Sequence, residues 1–156
     1  MSIGDAIIRW AQRRCPHPQP VVTFQGDPLF DRFTILRRDE WPDSWWDEKK
    51  ERFPTRPNAL PWWCPINAFV HRWHPLVPES FHDHPRWSIT VCLRGRLIEK
   101  TPWGRRELRP GSIVLRSRKY IHAFEPSPNH EGGEVWTLFI VGRRVARQNS
   151  FVVTPR

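Results

Sequence analysis

From Ile66 to Val141, apolar and polar residues alternate in short runs, the period-two pattern of half-buried strands. Ile66–Trp73 is one such run. Arg86–Leu93 is the clearest: Trp87, Ile89, Val91 and Leu93 alternate with Arg86, Ser88, Thr90 and Cys92. Gly95 predicts a turn, after which Leu97–Thr101 returns, and Pro102-Trp103-Gly104 predicts a second turn. Pro110-Gly111 opens Ser112–Arg116, and Ile121–Phe124 follows a polar turn. Gly132-Gly133 is a hairpin signal before the long run Val135–Val141. Strands this short and this closely spaced predict an all-β barrel or sandwich.

Upstream the pattern differs. Residues 2–14 predict a short amphipathic helix, with Ser2 as its cap, Ile3, Ile7, Trp10 and Ala11 on one face, and Pro16 as its stop. Val21–Phe24 and Phe33–Arg37 predict strands. Trp41–Arg52 has no clean period and reads as a helical turn or loop. No internal repeat or low-complexity tract interrupts the chain. The expected organisation is an N-terminal helix and linker over residues 1–20, then a single β-barrel domain over residues 21–156.

Composition supports this reading. A chain of 156 residues fits one domain with one sizeable core. Its 17 prolines would interrupt long helices. The net charge of +9 is uneven: residues 1–93 hold 12 Lys/Arg and 11 Asp/Glu, a net of +1, and residues 94–156 hold 13 and 5, a net of +8. A basic half attracts nucleic acid, anionic lipid or an anionic substrate, or is simply a solvated surface. Arg105, Arg106, Arg143, Arg144 and Arg147 read as loop or exposed positions. No block of like charge and no helix-turn-helix reader supports nucleic acid as a partner. Cys15, Cys64 and Cys92 are too few and too far apart for a disulfide framework and fit a reducing compartment. The N-terminal residues lack the apolar core of a signal peptide, and no apolar run approaches the roughly 20 residues of a membrane span. A cytoplasmic protein with no membrane segment is expected. There is also no Gly-rich phosphate loop, no Ser-His-Asp order with turn signals and no CxxC pair.

The chemistry is concentrated in Phe81-His82-Asp83-His84-Pro85. In an extended chain residues i and i+2 share a face, so His82 and His84 can turn both imidazoles onto one metal ion. Asp83 would point away, as a partner to a ligand or in a salt bridge. A third ligand must come from another strand, and His122, in the run Ile121–Phe124, is the best candidate. Neutral imidazole is the commonest protein ligand for transition metals, and three ligands on one side leave positions open for substrate. If alternation continues from the histidines, Arg86, Ser88, Thr90 and Cys92 share the metal's side. The three small residues would leave room for a substrate, with Arg86 placed for an anionic group. His71 is a further pocket residue or extra ligand, or a polar core histidine with a backbone partner. Phe124 and Trp136 are candidate pocket walls. Tyr120, the only tyrosine, is a candidate acid or hydrogen-bond donor near the metal.

This histidine segment resembles the cupin superfamily. The first cupin motif has the form H-x-H-x(3–4)-E-x(6)-G; His82, His84 and Gly95 match it, and Ser88 stands at the glutamate position. The glycine usual before the first histidine is replaced by Leu76. The second motif has the form G-x(5)-P-x-G-x(2)-H-x(3)-N; Gly111 and His122 match, while Ser117, Lys119 and Pro126 replace its proline, glycine and asparagine. The likeness covers roughly residues 66–141. It implies a small cupin-type jelly roll with His82, His84 and His122 as metal ligands and no fourth, acidic ligand. Within cupins, three-histidine sites look like those of thiol dioxygenases such as cysteine dioxygenase, although Cys92 lies a few residues too late to match their crosslinking cysteine. The resemblance therefore implies a non-haem iron(II) oxygenase acting on a small molecule. The alternatives are a metal-dependent isomerase or lyase using zinc, nickel or manganese, and a non-enzymatic small-molecule-binding cupin. The apolar strand faces allow a homodimer.

Overall fold

The alternating runs pair with one another in a computed structural model that describes residues 1–22, 28–36, 66–74, 81–84, 86–126, 134–142 and 150–151. The elements are helix α1 (Ile3–Arg14) and strands β1 (Gln19–Val22), β2 (Pro28–Leu36), β3 (Asn67–Trp73), β4 (Phe81–His82), β5 (Ser88–Arg94), β6 (Leu97–Thr101), β7 (Gly104–Leu108), β8 (Ile113–Arg116), β9 (Ala123–Pro126), β10 (Val135–Val141) and β11 (Ser150–Phe151). The expected loop at Trp41–Arg52 and the Gly132-Gly133 hairpin lie outside the described residues. The described strands form one six-stranded sheet in the order β1-β2-β3-β10-β5-β8, a ribbon β7-β6-β9 and a pair β11-β4. His82 and His122 exchange backbone hydrogen bonds of 2.9 and 3.0 Å, and His122 directly precedes β9. That bridge joins the pair and the ribbon into a second layer opposite the large sheet, a jelly-roll arrangement.

Side-chain parity separates two apolar clusters. Inside, Phe30, Trp73, Cys92, Val114 and Val135 of the large sheet meet Leu97, Leu108 and Phe124 of the second layer. On the outer face of the large sheet, Phe33, Val70, Leu93 and Trp136 pack against Ile8 and Ala11 of α1. Burial of each such side chain stabilises by about 1.5–3 kcal/mol. On the outer side of edge strand β8, Ile113 and Leu115 stay exposed. No described helix is long and apolar enough to cross a membrane.

The helix begins as its sequence predicts. Ser2 accepts from the Asp5 backbone, and Asp5 reciprocates to the Ser2 backbone, forming a capping box. Its buried face differs from the expectation. Of the expected face, Ala11 is buried and Ile7 half-buried, but Ile3 and Trp10 are exposed; Ile8 is buried instead, flanked by half-buried Gly4 and Cys15. The reason is steric: a Cβ at Gly4 would lie 2.5 Å from the Leu93 carbonyl oxygen, so only glycine lets the helix lie this close to β5. A register irregularity opposite Trp136–Thr137 leaves Leu93 as the extra residue on β5, between Cys92 and Arg94. Leu93 packs with the outer cluster, and Arg94 pairs with Asp5. Replacing Gly4 by alanine would ordinarily favour a helix slightly. Here Gly4→Ala is expected to lower unfolding stability by about 1–3 kcal/mol in urea titrations, because the contact is with backbone and cannot yield. An unchanged midpoint would show that α1 is not held against Leu93.

Candidate metal centre

Two local features bring the histidines together. β4 ends at His82, and the chain then leaves the strand, so His84 folds back beside its neighbour. The ring centroids of His82 and His84 are 4.8 Å apart. The paired backbone bonds between His82 and His122 carry the third ring to 4.9 Å from His82 and 5.0 Å from His84. One ring nitrogen from each lies within 4.8 Å of the others. Nε2 of His84 and Nε2 of His122 are 2.8 Å apart. Adjacent nitrogens on one octahedral ion with bonds of about 2.1 Å would be about 3 Å apart, so His84 and His122 are already at ligand spacing and the widest pair would have to close onto the ion. Asp83 is half-buried and outside this cluster.

The electrostatics suit neutral imidazoles. Burial, then the neighbouring His82 and His122 and the charges of Arg116 and Arg86, push His84 down to about 2. Burial also pushes His122 down, to about 4, against the opposing pull of its hydrogen bond to Glu99. Nδ1 of His122 lies 2.8 Å from Oε1 of Glu99. An ionised carboxylate only accepts, so Nδ1 carries the proton and the Nε2 lone pair is aimed into the cluster.

Glu99 is fully buried on β6. Burial alone would raise its carboxyl. The hydrogen bonds from His122 and Arg116, with the charge of Arg116, outweigh that and hold it at about 2. Arg106 also donates to it. Arg116, equally buried, donates on to the Thr90 hydroxyl at 2.7 Å. One carboxylate is thus held by two guanidiniums while it orients one imidazole.

The remaining residues singled out from the sequence lie as follows. Ser88, Thr90 and Cys92 all face the interior. Ser88 Oγ and Arg116 Nη2, on directly opposed residues of β5 and β8, have no hydrogen-bond partner among the described residues. Cys92 belongs to the inner apolar cluster, where burial raises its thiol to about 11, the protonated and unreactive form. Arg86 is buried, with Nη1 3.4 Å from the Gly142 carbonyl. The Tyr120 ring is 5.8 Å from that of His122, and its hydroxyl accepts from Arg106 at 3.4 Å. Phe124 lies edge-on to His122 at 4.7 Å. His71 is buried on the inner face of β3, stacked 4.2 Å from Phe30. Trp136 does not wall the pocket, as the sequence reading expected: it points to the outer cluster under α1, because Val135 and Thr137 take the inward positions.

Glu99, Arg116 and Phe139 were missed. The signal for Glu99 was available, since it shares strand parity with buried Leu97. A charge in an apolar row needs partners, and Arg116 occupies such a row beside Val114. Phe139, 5.5 Å from His84, read only as one more apolar residue of a long strand.

No protein-family model and no curated protein sequence matches the chain. Solved structures do. The DMSP lyase DddQ from Ruegeria pomeroyi superposes with a TM-score of 0.65 at 16% identity, over 96% of this chain and 68% of that one. A protein of unknown function with a cupin-like fold from Ralstonia eutropha gives 0.52 at 14%, over 81% and 62%. The polyketide cyclase RemF from Streptomyces resistomycificus gives 0.50 at 15%, over 58% and 63%. The chain thus spans about two thirds of each. Its fold is the cupin fold, a small all-β jelly roll with a short N-terminal helix, carrying three histidines able to hold a metal.

Two measurements check this geometry. Glu99→Gln is expected to weaken metal affinity about 10- to 100-fold in competition with a chromophoric chelator, because the orienting charge on His122 is lost. Affinity equal to wild type would show that Glu99 does not orient the ligand. Second, His84 and His122 have folded values below their ordinary 6.5, so between about pH 6.5 and 4 the unfolded chain binds more protons and stability rises with pH. The melting temperature of chelator-treated protein should therefore fall as pH drops from 7 to 4, and Glu99 should add a further loss below about 4.5. A flat profile would contradict this.

Proposed function

We propose that the protein is a metal-dependent enzyme that transforms a small molecule, with His82, His84 and His122 holding a divalent transition metal. The observation that carries the reading is the convergence of three ring nitrogens within 4.8 Å of one another, two of them on imidazoles kept neutral by burial. A bound ion would supply Lewis acidity and, as iron(II), electrons for oxygen.

The donor set favours iron(II) and oxygenase chemistry as the first reading. Three neutral ligands on one side leave room for substrate and oxygen together, and Ser88 brings no carboxylate to the cluster. The residues of the chain would bind, orient and exclude water. Phe139 and Phe124 wall the site with apolar surface, and Glu99 fixes the His122 tautomer. Arg86, buried and close enough to lower the His84 imidazole, suits a substrate with an anionic group.

A second reading, a lyase or isomerase using zinc, nickel or manganese, is favoured by Tyr120. Its phenol stands beside His122 with its oxygen next to Arg106, placed to give or take a proton. The likeness to a DMSP lyase over 96% of the chain agrees with that reading at the level of the fold.

Metal analysis of protein purified without an affinity tag and reconstituted anaerobically is expected to give about one transition metal per chain. His84→Ala and His122→Ala should each lower metal affinity by about two orders of magnitude or more. Retention of full metal content by both variants would exclude this site. Oxygen uptake in the presence of turned-over substrate selects the oxygenase. Turnover without oxygen that falls sharply in Tyr120→Phe selects the lyase or isomerase.

A further inference from the structure

The turn between β6 and β7 carries an aromatic ring that stands clear of the fold. Its two residues are Pro102 and Trp103, and Trp103 is 79% exposed. The turn is fixed from within: the Thr101 hydroxyl accepts from the Trp103 backbone N–H at 3.2 Å and donates to the Gly104 carbonyl at 3.1 Å. A Cβ built on Gly104 would meet nothing within 4 Å beyond its chain neighbours, so the tip projects into open space. The register Lys100↔Ala123 sets this tip beside the segment that enters β9. The turn Ser117–Tyr120 lies on the same segment. A 3.1 Å bond from the Tyr120 N–H to the Ser117 carbonyl closes it, and the Arg106–Tyr120 contact holds it to β7. Positive charge is in surplus around the ring. Lys100 and Arg105 share one carboxylate, Glu125. Arg106 and buried Arg116 share another, Glu99. Arg118 and Lys119 add two exposed cations on the neighbouring turn.

We propose that this tip is a docking surface for an anionic lipid bilayer, with Trp103 entering the headgroup region and Lys100, Arg105, Arg118 and Lys119 facing the lipid charge. Tryptophan favours that interface because its ring is apolar and its N–H polar. A lone aromatic anchor or a lone basic patch holds to lipid weakly, and the two together hold more firmly. Each shared carboxylate balances only one of its two cations, so the patch keeps a surplus of charge that anionic headgroups complement. The preset turn loses little freedom on contact. Docking of this kind needs no spanning segment. A single-stranded nucleic acid is held in a basic groove by several aromatic platforms, one for each successive base. Here one ring stands on a projecting turn, which suits a broad surface better than a strand. A second copy of the chain would set like charges against each other.

Cosedimentation of the full chain with lipid vesicles tests this. The probe is phosphatidylcholine vesicles holding about 30% phosphatidylserine, and the control is phosphatidylcholine alone, both at about 0.1 M salt. Saturable binding to the mixed vesicles is expected, with at least about tenfold weaker binding to the control and release at about 0.5 M salt. Trp103→Ala should weaken binding to the mixed vesicles about tenfold. Arg105→Gln and Lys119→Gln should each weaken it about three- to fivefold. All three side chains are exposed, so each variant should melt close to wild type while losing lipid affinity. The proposal is overturned if the mixed vesicles bind no better than the control, or if Trp103→Ala binds them undiminished. It is overturned equally if a uridine oligonucleotide binds the wild type more tightly than the mixed vesicles and loses affinity in Trp103→Ala, which would make the tip a nucleic-acid site.

Discussion

Two backbone hydrogen bonds between His82 and His122 hold the second layer together. β4 is a strand of only two residues, and β9 would otherwise end one residue short of it. The same pair of residues supplies two of the three imidazoles. Structural closure and the candidate ligand geometry are therefore one event: forming the bridge both joins β11-β4 to the β7-β6-β9 ribbon and brings the rings to 4.9 Å. His84 follows because it is two residues from a fixed point, with Phe139 behind it.

A bridge of this kind fixes backbone positions but not ring orientation. Orientation comes from the Glu99 carboxylate, which aims one His122 nitrogen into the cluster by accepting from the other. A lone buried carboxylate would take up a proton instead. Arg116 and Arg106 prevent that, and Thr90 anchors Arg116 from the neighbouring strand of the same sheet. The cluster contains no acidic ligand of its own but has a buried carboxylate one hydrogen bond away, itself held by two guanidiniums. The carboxylate absent from the cluster at Ser88 reappears, from another strand, as a partner to a ligand.

The barrel class was legible in the sequence because strands announce themselves by parity. Leu97–Thr101 and Val135–Val141 match their observed bounds, and the run from Ser88 to Cys92 faces inward as its alternation with Ile89 and Val91 predicts. β7 was not legible: Gly-Arg-Arg-Glu-Leu has one apolar residue and is held by pairing with β6 rather than by its own pattern. The helix existed as read, but its buried face was misassigned in part, since a stripe anchored on a glycine carries no hydrophobic signal. For the site, the i, i+2 spacing named His82 and His84, His122 was the candidate from another strand, and the cupin motif spacing agrees with all three. Glu99, Arg116 and Phe139 come from three different strands with no fixed separation in sequence. They are brought together only by cross-strand register, which a linear pattern does not encode.

The separation of the apolar side chains into two clusters has an evolutionary consequence. Most of the buried hydrocarbon lies either within the inner cluster around Trp73 and Phe124 or outside, under α1. Ser88, Thr90, His71 and Arg116 are polar residues buried on the inner face of the large sheet. A position such as Ser88 contributes polar surface more than packing, so it can vary while the folding reserve is held elsewhere. A jelly roll divided in this way can exchange one substrate for another by drift at a few inward positions, and sequence similarity would fade long before the fold did.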